Sequence, residues 1–161
     1  TGAGETSALA NRRGGRGVWV SNQSGVGRGR YGWAEFQAGQ DKIKADLAAF
    51  GAYVDAVGAC PYHPEAVAAY DRDHGDRKPN PGMLLKAAGA LEIDLAPSWI
   101  VGDLPSDMGA GRNAGLSGGV HVQSGWSGHR DDALAEARAN FQVLGADSID
   151  DVRGLIPLLV D

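Results

Sequence analysis

Four short apolar runs punctuate the chain, each closing on glycine or polar residues: "GVWV" at 17–20, "AYVDAVGA" at 52–59, "SWIVGD" at 98–103 and "GGVHV" at 118–122. Between them, apolar positions recur at helical spacing over 4–13, 33–50, 81–91 and 105–114. Strands that alternate with helices in this way predict an α/β fold, a three-layer Rossmann-like arrangement with a parallel sheet between helices. Gly14, Gly51 and Gly115 fall where helices must stop. A fifth apolar piece, "FQVL" at 141–144, leads to a last predicted helix over about 148–159 with Ser148 as its N-cap. Residues 60–80 fit neither period. They hold Cys60, His63, His74 and the charged "DRDHGDRK", and a loop of that length inside one domain usually carries function. It reads as a small irregular cap.

Composition narrows the picture in three ways. A chain of 161 residues, 43% hydrophobic and 22% charged, suits one domain spanning 1–161 with a real core. A net charge of -5 argues against a nucleic-acid partner, although Arg28 and Arg30 beside the glycine-rich turn offer local sites for a small anion. The single cysteine, Cys60, excludes an intrachain disulfide framework and suits a reducing, cytoplasmic setting. No run reads as a signal peptide or a bilayer span, so no membrane partner is expected.

The chemistry collects where strands end. Ligands of open parallel sheets bind beyond the carboxyl ends of the strands. Ser21 and Asn22 follow the first strand, Arg77 and Lys78 precede the helix at 81–91, and Asp103 ends the third strand with Asp107 four residues on. A hydroxyl and backbone amides hold phosphoryl oxygens, a lysine offsets charge that shifts during transfer, and hard carboxylate oxygens hold Mg²⁺. Singly, each has a plainer reading: Ser21-Asn22 as a strand terminator, Lys78 before Pro79 as a solvated turn, Asp107 as an acid favoured in a first helical turn. A dinucleotide site is the other glycine-based reading, since "GRGRYG" at 27–32 matches G-x-G-x-x-G. Six residues separate it from the strand, however, and Asp55 lies inside a strand rather than after one.

The order Ser21, Lys78, "GDLPSD" (102–107) resembles the haloacid dehalogenase superfamily of phosphotransferases. The blocks "SNQSGVGRG", "CPYHPEA", "DRKPNPGML" and "WIVGDLPSDMGAGRNAGL" are similar to its heptose bisphosphate and histidinol phosphatase branch, over about residues 5–125. That resemblance implies an Mg²⁺-dependent phosphomonoesterase acting on a small phosphorylated sugar, a heptose 1,7-bisphosphate 7-phosphatase-like hydrolase. It implies that Ser21, Asn22 and Gln23 contact the phosphoryl group, Arg77 grips substrate, Lys78 stabilises phosphoryl charge, Asp103 binds Mg²⁺ and Asp107 supports that metal from behind. The sixteen residues between Cys60 and Arg77 favour heptose bisphosphate over the alternative, histidinol phosphate.

Three departures stand against this resemblance. The family's Asp nucleophile lies in a "DxD" after a strand that precedes the serine motif, whereas "TGAGETSALANRRGGRGVWV" contains Glu5 and no aspartate. Asp71 and Asp73 mimic the spacing but follow the serine motif. The chain therefore reads as a family domain incomplete at its N-terminus. Its sheet is expected to lack a strand between those ending at Ser21 and Asp103, a place for a missing segment or a second chain, and the chain alone is expected to lack family turnover. A non-catalytic phosphate-binding remnant is the rival reading. Second, where relatives carry a Cys-x-His and Cys-x-Cys zinc loop, this chain has Cys60, Tyr62, His74 and Asp76. With His63, the set Cys60, His63, His74 and Asp76 has the chemistry for Zn²⁺, yet the altered spacing favours structural roles. Third, Leu104 stands where close relatives often have Lys.

Overall fold

In the computed structural model, which describes residues 2–123 and 128–160, the five expected strands form β1 (Val18–Asn22), β2 (Ala56–Cys60), β3 (Trp99–Gly102), β4 (Gly118–Val122) and β5 (Gln142–Ala146). The helices are α1 (Gly2–Arg12), α2 (Ser24–Gly27), α3 (Trp33–Ala48), α4 (Gly82–Leu91), α5 (Pro105–Ala114) and α6 (Arg130–Leu134). Every pairing between these strands is parallel. Helix stops follow the chemistry of glycine: Gly14, Gly51 and Gly115 have φ of 80°, 71° and 85°, a region that side chains with a Cβ rarely adopt. The predicted helix over 148–159 does not form. A single 3₁₀ turn, Asp151–Gly154, replaces it, because Gly154 weakens a helix at mid-length and Pro157 removes the N–H that would bond back. Ser148 does not act as the cap expected of it. Its N–H and hydroxyl both donate to Asp151 Oδ2, each at 2.9 Å.

Helices cover both faces of the strands. On one face, α1 and the 152–159 segment join β4 through Val120, Val152, Ile156 and Leu159. On the other, α4, α5 and α6 join β3 and β5 through Ile100, Met108, Ala133 and Phe141, with Leu84 packed against them. This is the three-layer α/β arrangement. Among the described residues no helix is long and apolar enough to cross a membrane.

The sheet is split. β1 pairs only with β2, and β3, β4 and β5 form a second sheet in that order. The edges of β1 and β3 that remain face one cleft of about 430 Å³, lined by Val18, Trp19 and Val20 on one side and Trp99, Ile100 and Val101 on the other. Among the described residues no strand fills it and the two edges do not pair. The gap lies between β1, which ends at Asn22, and β3, which ends at Gly102.

Candidate functional site

The ends of β1 and β3 meet through one lysine. Lys78, delivered by the irregular segment, sends its Nζ to the Val20 carbonyl at 2.9 Å and to Asp107 Oδ1 at 2.5 Å. Both side chains are buried, 11% and 7% exposed, so the pair sits away from solvent screening. The position of Lys78 is held from behind: Asn22 Nδ2 donates to its carbonyl at 3.0 Å, and its N–H donates to Asn22 Oδ1 at 2.9 Å. Asn22, expected at phosphate, thus commits its side-chain amide to the lysine backbone.

Asp107 is used twice. Its second oxygen, Oδ2, accepts from the Leu104 N–H at 3.0 Å and closes the first turn of α5. The preceding glycine makes this approach workable. A Cβ on Gly102 would lie 2.3 Å from Asp107 Oδ2 and 2.5 Å from its Cβ, which explains glycine before Asp103 in physical terms. Gly102→Ala is therefore expected to displace the carboxylate and lower stability by about 1–3 kcal/mol, as overpacking does. A thermal melt within error of the parent chain would contradict that.

Asp103 is exposed at the end of β3, and its carbonyl meets Nε2 of the buried His121 at 3.0 Å. Sequence reasoning missed His121; its sign was a polar residue inside an apolar strand, "GGVHV". Ser21 Oγ accepts from Gln23 Nε2 at 2.7 Å, and Gln23 Oε1 in turn accepts from the Tyr31 hydroxyl. Arg77 turns toward the loop, with Nη1 on the Tyr62 carbonyl at 3.1 Å. Lys78 thus joins the β1 end to Asp107 and the start of α5, one residue beyond Asp103, and Ser21 and Gln23 form a polar pair at the β1 terminus.

The glycine-rich basic turn after β1 serves the loop. A Cβ on Gly27 would fall 2.0 Å from the Pro61 carbonyl oxygen, so only glycine admits the loop at this point. The Val67 N–H donates to the Gly27 carbonyl at 2.8 Å, and Arg28 reaches both the His63 ring (2.9 Å to Nε2) and Glu65 (3.1 Å). Arg28, expected as an anion site, is engaged by the loop. Desolvation, then the Arg28 guanidinium, holds the His63 pKa below the usual imidazole range. The sign follows: the unfolded chain binds the proton more readily, so His63 favours the folded state above the ordinary imidazole pKa and loses that contribution as pH falls through it. An NMR titration is expected to place the His63 midpoint below that of a model imidazole; a midpoint at or above it would overturn this assignment.

Cys60, His63, His74 and Asp76, which have zinc-ligand chemistry in sequence, take other partners here. Among the described residues no group of three or more His, Cys, Asp or Glu side chains is placed to hold a metal. Cys60 is buried, and burial pushes its thiol pKa up, against the thiolate that zinc needs. His74 stacks on Tyr62 at 4.0 Å with rings 7° apart and accepts the Asp76 N–H at Nδ1, while Asp76 pairs with Lys86. Arg72 covers the Tyr62 ring at 4.8 Å and Tyr70 meets it edge-on. An aromatic and cationic stack around Tyr62 holds this part of the loop.

Mg²⁺ is a different matter. It binds through one or two carboxylates while keeping several waters, and an exposed carboxylate at a strand end supplies such hard oxygens. Asp103, exposed at the end of β3, has that oxygen chemistry, and Asp107 gives its oxygens to Lys78 and Leu104.

Comparison with known proteins identifies relatives of this chain. A family model described as "HAD-hyrolase-like" matches residues 76–152. A D-glycero-beta-D-manno-heptose-1,7-bisphosphate 7-phosphatase of Mesorhizobium japonicum is 42% identical over 151 residues, covering 88% of this chain and 70% of its own length. The corresponding Escherichia coli K12 enzyme is 39% identical over 109 residues, 67% of this chain and 57% of its own length. A crystal structure of a HAD-like phosphatase from Mesorhizobium loti superposes with a TM-score of 0.85 at 36% identity, over 98% of this chain and 72% of that one. A D,D-heptose 1,7-bisphosphate phosphatase from B. bronchiseptica, complexed with magnesium and phosphate, superposes with a TM-score of 0.74 at 31% identity, over 94% of this chain and 79% of that one.

Proposed function

The chain belongs to the HAD-like phosphatases, and from that premise we propose that it builds the phosphate-holding and Mg²⁺-holding part of a phosphomonoesterase acting on a phosphorylated heptose. The observation that carries this reading is the buried Lys78, aimed by Asn22 and anchored by Asp107 where the ends of β1 and β3 meet. A fixed ammonium at that point stabilises the charge of a phosphoryl group bound across the strand ends and needs no reorganisation to do so. Ser21 offers a hydroxyl beside it, with Gln23 fixing its orientation. Asp103 would hold Mg²⁺, which when bound neutralises phosphoryl oxygens. The 42% identity to a heptose 1,7-bisphosphate 7-phosphatase favours that substrate over histidinol phosphate. A cytoplasmic setting suits the single, buried thiol.

Calorimetry with inorganic phosphate, with and without Mg²⁺, tests the reading. Phosphate is expected to bind more tightly with Mg²⁺ present, and Asp103→Asn is expected to remove that Mg²⁺ enhancement. Phosphate affinity that ignores both Mg²⁺ and Asp103 would place the site elsewhere.

A further inference from the structure

Two glycines of the turn after β1, Gly25 and Gly29, bring the chain back to the end of that strand. Gln23 is fixed there, its N–H donating to the Cys60 carbonyl at 2.7 Å. The chain then makes the short helix α2 and reverses: Gly29 has φ of 67°, in the left-handed region, and the Arg30 N–H donates to the Gly25 carbonyl at 2.8 Å. The reversal lays the Tyr31 ring across α2. A Cβ on Gly25 would fall 2.2 Å from Tyr31 Cε1 and 2.7 Å from its Cζ, so glycine at this position is what admits the ring. The Tyr31 hydroxyl thereby meets Gln23, eight residues back.

The hydrogen bonds that follow have a direction. A carbonyl oxygen only accepts, so the Tyr31 hydroxyl donates to Gln23 Oε1. An amide nitrogen only donates, so Gln23 Nε2 gives its proton to Ser21 Oγ at 2.7 Å. Ser21 therefore receives a bond and keeps its own proton free. That sign matters because the oxygens of a phosphoryl dianion only accept: a serine whose proton had gone to a neighbouring carbonyl would face them lone pair to lone pair. A hydroxyl that accepts from behind meets them with O–H, in a charge-assisted bond about twice as strong as a neutral one. A phenol is a better donor than acceptor, since its oxygen lone pair is delocalised into the ring, so Tyr31 holds the Gln23 carbonyl on its own side. Without that hydroxyl the amide is free to turn over and offer Oε1 to Ser21.

We propose that Tyr31 is a positioning residue for phosphate binding: its hydroxyl sets the Gln23 amide so that Ser21 aims its proton at the bound phosphoryl group. The proposal rests on the reading of Ser21 as a phosphate contact and adds a residue that acts only through Gln23 and Ser21.

Calorimetric titration of the whole chain with inorganic phosphate, at fixed Mg²⁺ and at a pH where phosphate is dianionic, compares the parent with Tyr31→Phe, Ser21→Ala and the double variant. Phenylalanine keeps the ring over Gly25 and removes the hydroxyl alone. Ser21→Ala is expected to weaken phosphate by about tenfold and Tyr31→Phe by about three- to fivefold. The double variant is expected to bind no more weakly than Ser21→Ala, because Tyr31 then has nothing left to position. In the phosphate-free chain, the Gln23 side-chain N–H signals are expected to shift in the NMR spectrum of Tyr31→Phe, which reads the amide directly. Unmoved Gln23 signals, or parental phosphate affinity in Tyr31→Phe while Ser21→Ala is weakened, would overturn the role of Tyr31 and leave the phosphate reading standing. Losses that add in the double variant would do the same, by showing that Tyr31 acts through another route. Equal affinity in Ser21→Ala and the parent would overturn both.

Discussion

Lys78→Met is expected to destabilise the chain by about 3–5 kcal/mol, because it removes one partner of a buried pair and strands the other. Asp107 is 7% exposed at the side chain and cannot recover its lost partner from water. The Val20 carbonyl also loses the ammonium that serves it in place of a strand amide. A domain's whole margin is about 5–15 kcal/mol, so the variant should be marginal at room temperature. Charge burial and lost packing are separable here. In Lys78→Met/Asp107→Asn the uncharged amide oxygen still accepts from Leu104 and keeps the first turn of α5, so most of the loss should return. Phosphate binding should not return in either variant. Urea titrations read the comparison directly, and a single variant within about 1 kcal/mol of the parent would show that the pair is solvated and that Lys78 is held by other means.

The parts of the fold that were legible are those where local chemistry and tertiary structure agree. The span of α5 at 105–114 was readable because Pro105 starts it, Asp107 closes its first turn and Gly115 ends it in the left-handed region. The terminal segment was unreadable because its apolar spacing, Val152, Ile156 and Leu159, is that of a helix while Gly154 and Pro157 deny the backbone; the same side chains reach the core from a 3₁₀ turn and bends. At the site, residue types and order picked out Lys78, which contacts the β1 end and Asp107. Direction was hidden. Nothing in "SNQSGVGRG" tells that Asn22 binds the lysine backbone or that Arg28 and its neighbour Gly27 receive a loop from 35 residues on, because those partners are chosen by tertiary packing. The loop shows the same limit in reverse: Cys60, His63, His74 and Asp76 have metal-ligand chemistry in sequence, and a Tyr62 stack holds one of them in a different role.

Incubated with heptose 1,7-bisphosphate and Mg²⁺, the 161-residue chain alone is expected to show no turnover above the uncatalysed control. Phosphoryl transfer of the family type needs a carboxylate free to attack phosphorus, and removing an enzyme's nucleophile lowers kcat by about 10⁴ to 10⁶ in systems where this is measured. Asp107 is not such a group: one oxygen holds Lys78, the other holds Leu104, and both are buried. Asp103 is proposed to hold Mg²⁺, and a carboxylate bound to a cation is a poor nucleophile. Asp71 and Asp73 are exposed in the 60–80 loop, where Asp73 accepts from the neighbouring His74 N–H and neither joins the contacts around Lys78. The ammonium, the hydroxyl and the proposed metal ligand can bind and polarise a phosphate, and neither Asp107, Asp71 nor Asp73 is placed to make the first bond of an aspartyl-phosphate route. Phosphate release measured at matched enzyme concentrations in the parent chain and in Asp103→Asn decides the matter. Release that requires Mg²⁺ and disappears in Asp103→Asn would mean that a carboxylate or water at this site already does the work of the nucleophile, and the binding-only account of the isolated chain would then be wrong.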